Sequence, residues 1–143
     1  MNRGILLILL AFAITNCKKD APAEPPKEIA GIVGAWRSTE YTEMRGDTII
    51  KHVIPKERSR VIIIRFDGVI LDEDGKQSCG TPDSYLLNTK LIEVKPLIPI
   101  PTRMDCTGLV GVPCPQRFKI NQASPDEITA EFCSVATRYT REK

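Results

Sequence analysis

Past residue 30 the hydrophobic positions repeat in short bursts of two-residue period, separated by Gly, Pro, Asn and Asp. That rhythm predicts short strands and tight turns, not helices. Residues 29–33 suit one short helical turn. Strands are expected over residues 36–43, 48–53, 60–66, 69–71, 84–87, 90–94, 117–120, 127–133 and 135–141. Residues 60–66 are too apolar to have one wet face, so both faces should be covered. Asp67-Gly68 between two β-rich runs reads as a hairpin whose two turn residues both take positive φ. Asn88-Thr89 marks a second hairpin, and residues 121–126 the loop of a third. Helical runs long enough for crossovers are missing, so a parallel sheet is not expected. A meander of this many strands has an edge problem, which closure solves. The expected fold is all-β: a small antiparallel up-and-down barrel of about eight or nine strands, with a β-sandwich as the alternative.

The amino terminus follows a different pattern. Arg3 precedes an apolar run over residues 4–14. At about 11 residues that run is too short to span a hydrocarbon core near 30 Å. A charged start and a short apolar run make a secretory leader, expected over residues 1–16. The run meets Ile14-Thr15-Asn16-Cys17, which resembles the lipobox read before a lipidated cysteine, with Asn16 where Gly, Ala or Ser is usual. Lipoproteins of the Bacteroidetes resemble this looser form. Cys17 is therefore the expected lipidation site and the attachment to the membrane. The Lys18-Lys19-Asp20 that follows is similar to the charged signal that sends some lipoproteins of that group to the cell surface. Residues 17–30 are charged and Pro-rich, the composition of an extended tether. Residues 31–143 form one domain with one modest core. The expected location is the outer membrane of a Gram-negative cell, on its periplasmic face or its surface.

Charge and cysteine content narrow the partners. The chain carries 20 Lys and Arg against 18 Asp and Glu, and Arg3 leaves with the leader. So even a balance argues against a nucleic-acid partner. Past Cys17 the cysteines are Cys79, Cys106, Cys114 and Cys133. An even number in an exported domain reads as disulfides, and no close Cys pair suits a metal. Pairing Lys119 with Ile128 across the third hairpin sets Cys114 opposite Cys133 and leaves Cys79 for Cys106. A local Cys106–Cys114 bridge is the alternative.

Gly34-Ala35-Trp36, opening the first strand, resembles the Gly-x-Trp start of lipocalin-type barrels. With Phe66-Asp67-Gly68 and the terminal Arg138-Tyr139-Thr140-Arg141, the pattern is similar to small lipocalin-like lipoproteins of Bacteroidetes. The resemblance implies a barrel holding a small hydrophobic ligand, and an Arg, here Arg138 or Arg141, packed over Trp36.

Catalytic chemistry is sparse. His52 is the one histidine, inside an expected strand, and no nucleophile–base–acid grouping or phosphate loop accompanies it. Asp72-x-Asp74-Gly75 begins like a calcium loop, but Lys76 and Thr81 stand where acceptors are needed, so it is a turn. No enzyme activity, cofactor or metal is expected. Leu97, Ile98 and Ile100, set among Pro96, Pro99 and Pro101, form an apolar loop that cannot be a central strand. It is expected to lie over an open barrel end, or to act as a lip for a ligand or a docking surface for an envelope protein. The two functions the sequence supports are a small-ligand carrier and a non-enzymatic protein-interaction module.

Overall fold

The computed structural model describes residues 24–77, 81–100 and 117–143. The expected leader, Cys17, Cys79, Cys106 and Cys114 lie outside them. Nine strands are present: β1 Gly34–Arg45, β2 Thr48–Val53, β3 Val61–Ile64, β4 Ile70–Asp72, β5 Ser84–Leu87, β6 Lys90–Glu93, β7 Lys119–Ser124, β8 Glu127–Phe132 and β9 Val135–Arg141. They form one sheet in the order β4-β3-β1-β9-β8-β7-β5-β6, with β2 also beside β1. The sheet curls strongly into a half-barrel. One continuous sheet replaces the sandwich alternative.

Two features depart from a closed up-and-down barrel. The end strands β4 and β6 do not pair with each other among the described residues. And β5 runs parallel to β7, through Leu86↔Lys119 and Leu87↔Ile120. The cause is at the Asn88-Thr89 turn, where both residues take positive φ (46° and 77°). That tight turn seats β6 on one edge of β5. The other edge is claimed by β7: Leu86 N–H donates to Phe118 O, Asn88 N–H to Ile120 O, and Gln122 N–H to Asn88 Oδ1, at 2.8–2.9 Å. First and last strands do meet, along seven residue pairs between β1 and β9.

Two turns also differ from expectation. The Asp67-Gly68 hairpin is a three-residue loop. Gly68 N–H donates to Arg65 O, only Gly68 takes positive φ (85°), and Asp67 is freed to turn its carboxylate inward. In the third hairpin β7 continues to Ser124, and the turn tightens to Pro125-Asp126. Lys119 therefore faces Glu131, not Ile128, and the register no longer sets Cys114 opposite Cys133. Cys133 itself sits in the β8–β9 turn at φ 57° and is engaged by a partner.

Packing begins earlier than residue 31. Ile29 is 2% exposed and Ile32 fully buried, inside a segment partly assigned to the tether. Ile29 and Ala30 N–H groups donate to Pro26 O, and Ile32 and Val33 N–H groups to Ile29 O, which makes a compact turn. That turn caps one end of the half-barrel. Its isoleucines pack with Trp36, Ile64, Ile70, Tyr85, Leu87, Ile120 and Ile128 into a solid core. Each such isoleucine contributes about 1.5–3 kcal/mol by leaving water.

Candidate functional site

The two-residue period of β1 decides what faces the concave side. Trp36 and Ser38 point inward, opposite Arg141 and Tyr139 of β9. Thr39 is then an extra residue: the register runs from Ser38↔Tyr139 directly to Glu40↔Arg138. A bulge of this kind shifts the alternation by one. Beyond it Tyr41 and Glu43 face inward, and Glu40 and Thr42 outward.

Trp36 and Arg141 are built as a unit. The guanidinium carbon lies 4.1 Å from the indole ring centroid. Arg141 Nη1 donates to Val33 O at 2.8 Å, Nη2 to Gly31 O at 2.6 Å and Nε to Pro125 O at 2.8 Å. Trp36 Nε1 donates to Ile32 O at 2.7 Å. The cation thus satisfies carbonyls at the end of the 26–33 turn and fastens that turn to β1 and β9. Arg138 lies three residues away, on the opposite face, where it meets Glu40 and Glu127. Of the two candidates, Arg141 is the one over Trp36.

On the other side of the bulge the interior is open. A groove of about 510 Å³ lies between β1, β2, β9 and the 54–60 connection. Its floor is Tyr41 stacked on His52, with ring centroids 4.6 Å apart and planes 16° from parallel. Ser38, Thr137 and Tyr139 form one wall, Val53, Ile54 and Pro55 another, and Arg58 and Arg60 the rim. A second hollow of about 390 Å³, with Phe118 and Phe132, shares Thr137 and Tyr139. Burial pushes the Tyr139 hydroxyl above its ordinary pKa, although a hydrogen bond with Thr137 and the charge of Arg60 pull the other way. His52 Nε2 lies 3.6 Å from Glu43 Oε1 and is buried without a hydrogen bond among the described residues.

The connection that carries the rim arginines is strapped to the bulge. Ser38 N–H donates to Arg60 O, Arg60 N–H to Ser38 Oγ, the Ser59 hydroxyl to Ser38 O, and Ile54 N–H to Thr39 O. Pro55 opens the single 3₁₀ turn Lys56–Arg58, and Arg58 N–H returns to Pro55 O. Sequence reasoning missed this groove. Its one signal was the polar pair Ser38-Thr39 interrupting the alternation.

The apolar loop is fixed by its backbone. Arg65 grips Asp67 in bidentate fashion, Nε to Oδ1 at 2.8 Å and Nη2 to Oδ2 at 2.6 Å. Leu97 N–H donates to Asp67 Oδ2 at 2.9 Å, and Arg65 Nη2 to Ile98 O at 3.1 Å. Burial alone would raise the Asp67 pKa. The hydrogen bonds from Arg65 and Leu97 outweigh it and hold the carboxyl below its ordinary value. The side chains of Leu97 and Ile98 remain 68% and 48% exposed, with Ile100 half-buried. They do not fold down over the core.

No family model, curated protein or solved structure matches the chain.

Proposed function

We propose that this protein is an envelope lipoprotein, anchored through Cys17, whose half-barrel carries a small hydrophobic ligand in the groove between β1, β2 and β9. The observation that carries the reading is the contrast along the interior. At one end Trp36 and Ile32 are fully buried in the core cluster, while the other keeps about 510 Å³ over the Tyr41–His52 stack. Volumes of that size suit small organic ligands, and flat aromatic floors suit apolar ones. The Gly34-x-Trp36 start with Arg141 over the indole supports the likeness to lipocalin-like lipoproteins. In this reading the leader, residues 1–16, is removed, residues 17 to about 25 form the tether, and Cys79, Cys106, Cys114 and Cys133 form disulfides whose pairing peptide mapping under non-reducing conditions would read. No catalysis, cofactor or metal enters it.

Native mass spectrometry of the full chain carrying Cys17→Ser tests the carrier. A co-purifying small hydrophobe, lost on Thr137→Trp, is the expected result. A clean apo mass, with no uptake from an added lipid extract, sinks it.

A second reading has its own observation. Leu97 and Ile98 are exposed on a backbone that Arg65 and Asp67 hold still, as suits a docking loop for another envelope protein. Loss of a captured envelope partner after Leu97→Asp with Ile98→Asp would favour it over the carrier.

A further inference from the structure

We infer that the groove accepts an amphiphilic anion, with an apolar body laid across Tyr41, His52 and Tyr139 and a carboxylate, sulfonate or phosphate head at Arg58 and Arg60. This rests on the reading of the groove as a ligand site and names the class of ligand.

The first argument is charge. Two arginines line the groove and no carboxylate does. Five other arginines hold acids: Arg37 with Glu142, Arg45 with Glu43, Arg65 with Asp67, Arg138 with Glu40 and Glu127, Arg141 with Asp126. Among the described residues Arg58 and Arg60 have no such partner. The nearby acids are otherwise placed. Glu40 turns to the convex face and meets Lys51 at 2.8 Å, Glu43 stands beside His52 at the far end, and Glu57 does not line the groove. A guanidinium fork unmatched by protein carboxylates suits planar, multidentate anions.

The second argument is placement. Arg58 rides on a 3₁₀ turn that begins at Pro55, and the Arg60 backbone is bonded on both sides to Ser38. The bonds that seat these arginines come from the bulge that also turns Tyr41 inward. Anion site and aromatic floor are therefore fixed relative to each other by one irregularity in β1. The head is at the rim, in reach of solvent, and the body runs inward toward Thr137 and the Phe118–Phe132 hollow, so the charge need not be buried.

The test compares two fluorescent probes that differ by one charged group, anilinonaphthalene sulfonate and its uncharged parent phenylnaphthylamine, on the full chain with Cys17→Ser. The sulfonate is expected to bind about tenfold more tightly, with the preference shrinking as salt rises. Arg58→Gln with Arg60→Gln should bring the two probes to within about twofold of each other, chiefly by weakening the sulfonate. Thr137→Trp, which fills the groove, should remove both. Equal binding of the two probes, or a preference that survives the double substitution, overturns the anion assignment while leaving the groove as a ligand site. Failure of both probes to bind, or binding indifferent to Thr137→Trp, overturns the ligand site as well.

Discussion

Gly34→Ala probes the joint on which the closed end depends. Gly34 has φ +132°, and a Cβ added there would lie 2.8 Å from Arg141 Nη1. Two penalties follow. An L side chain in this region of φ costs about 1–3 kcal/mol in backbone strain. The guanidinium must also move. The far end of an arginine is ordinarily free to swing, but this one donates to Val33 O, Gly31 O and Pro125 O and covers the Trp36 ring. Displacing Nη1 forfeits at least one charge-assisted hydrogen bond and part of the cation–π contact. That is about 1 kcal/mol for a side chain still partly wetted. The total expected loss is about 2–4 kcal/mol. Urea denaturation followed by tryptophan fluorescence reads it directly, since Trp36 is the sole tryptophan. The two parts separate in an Arg141→Met background. There Gly34→Ala should retain the backbone penalty and lose the rest, a coupling of about 1 kcal/mol. If Gly34→Ala shifts stability by less than about 0.5 kcal/mol, or the two substitutions simply add, the proposed clash is wrong.

Three further outcomes are expected. Asp67→Asn should destabilise by about 2–4 kcal/mol and speed hydrogen exchange at the Leu97 amide, because Arg65 loses its bidentate partner in a nearly dry site. The folded Asp67 pKa is depressed, so its contribution is complete above the unfolded value of about 3.9 and is lost as pH falls through the folded one. The variant should lack that part of the acid decline. Thr89→Gly should gain about 0.5–1 kcal/mol in urea melts, since a β-branched residue at φ 77° is strained and glycine is not, less some unfolded-state entropy. Tyr85→Phe should be neutral or stabilising by up to about 1 kcal/mol, because the buried hydroxyl has no hydrogen-bond partner among the described residues. Burial, with the charge of Asp67, pushes its pKa to about 12. The unfolded chain ionises first, near pH 10, so stability conferred by the neutral phenol is lost between about pH 10 and 12. The variant should flatten that alkaline decline, which absorbance titration and melts at matched pH would both show.

The strands and most of the turns were legible because they are local. Alternation fixes where β1 to β9 run, and Asn88-Thr89 and Gly68 fix where the chain reverses. Pairing order is not local. Nothing in residues 84–87 says that their free edge will take β7 in parallel, since that depends on which distant strand supplies a fitting apolar face and on the bond between Gln122 N–H and Asn88 Oδ1. Single-residue irregularities were equally hidden. Continuing β7 through Asn121, Gln122 and Ala123 moved the third hairpin by three positions and removed the geometric case for opposing Cys114 and Cys133. The choice between Arg138 and Arg141 was within reach: they differ by an odd number of residues, so only one shares a face with the residue opposite Trp36. Arg58 and Arg60 carried no sequence signal, because their meaning comes from Ser38, some twenty residues upstream.

The bulge at Thr39 connects these observations. Before it, the inward positions of β1 and β9 are Trp36 and Arg141, sealed by Ile29 and Ile32 from the preceding turn. After it they are Tyr41 and Glu43, opposite Thr137 and Val135, and the partner strand adds His52. Had the alternation continued unbroken, Glu40 and Thr42 would face the concave side, with the Glu40 carboxylate opposite Thr137. The extra residue sends Glu40 outward to Lys51 and Arg138 and turns Tyr41 onto His52 instead. It leaves the groove with two arginines at its rim and no carboxylate among its lining residues. A core-filling strand has little use for this arrangement, since a bulge weakens the ladder where it occurs. At the Trp36 end the cation covers the indole, and Ile29 and Ile32 are buried against it. The half-barrel therefore divides its interior into one part that holds the fold and another that stays open, and the residue at the boundary sets the character of both.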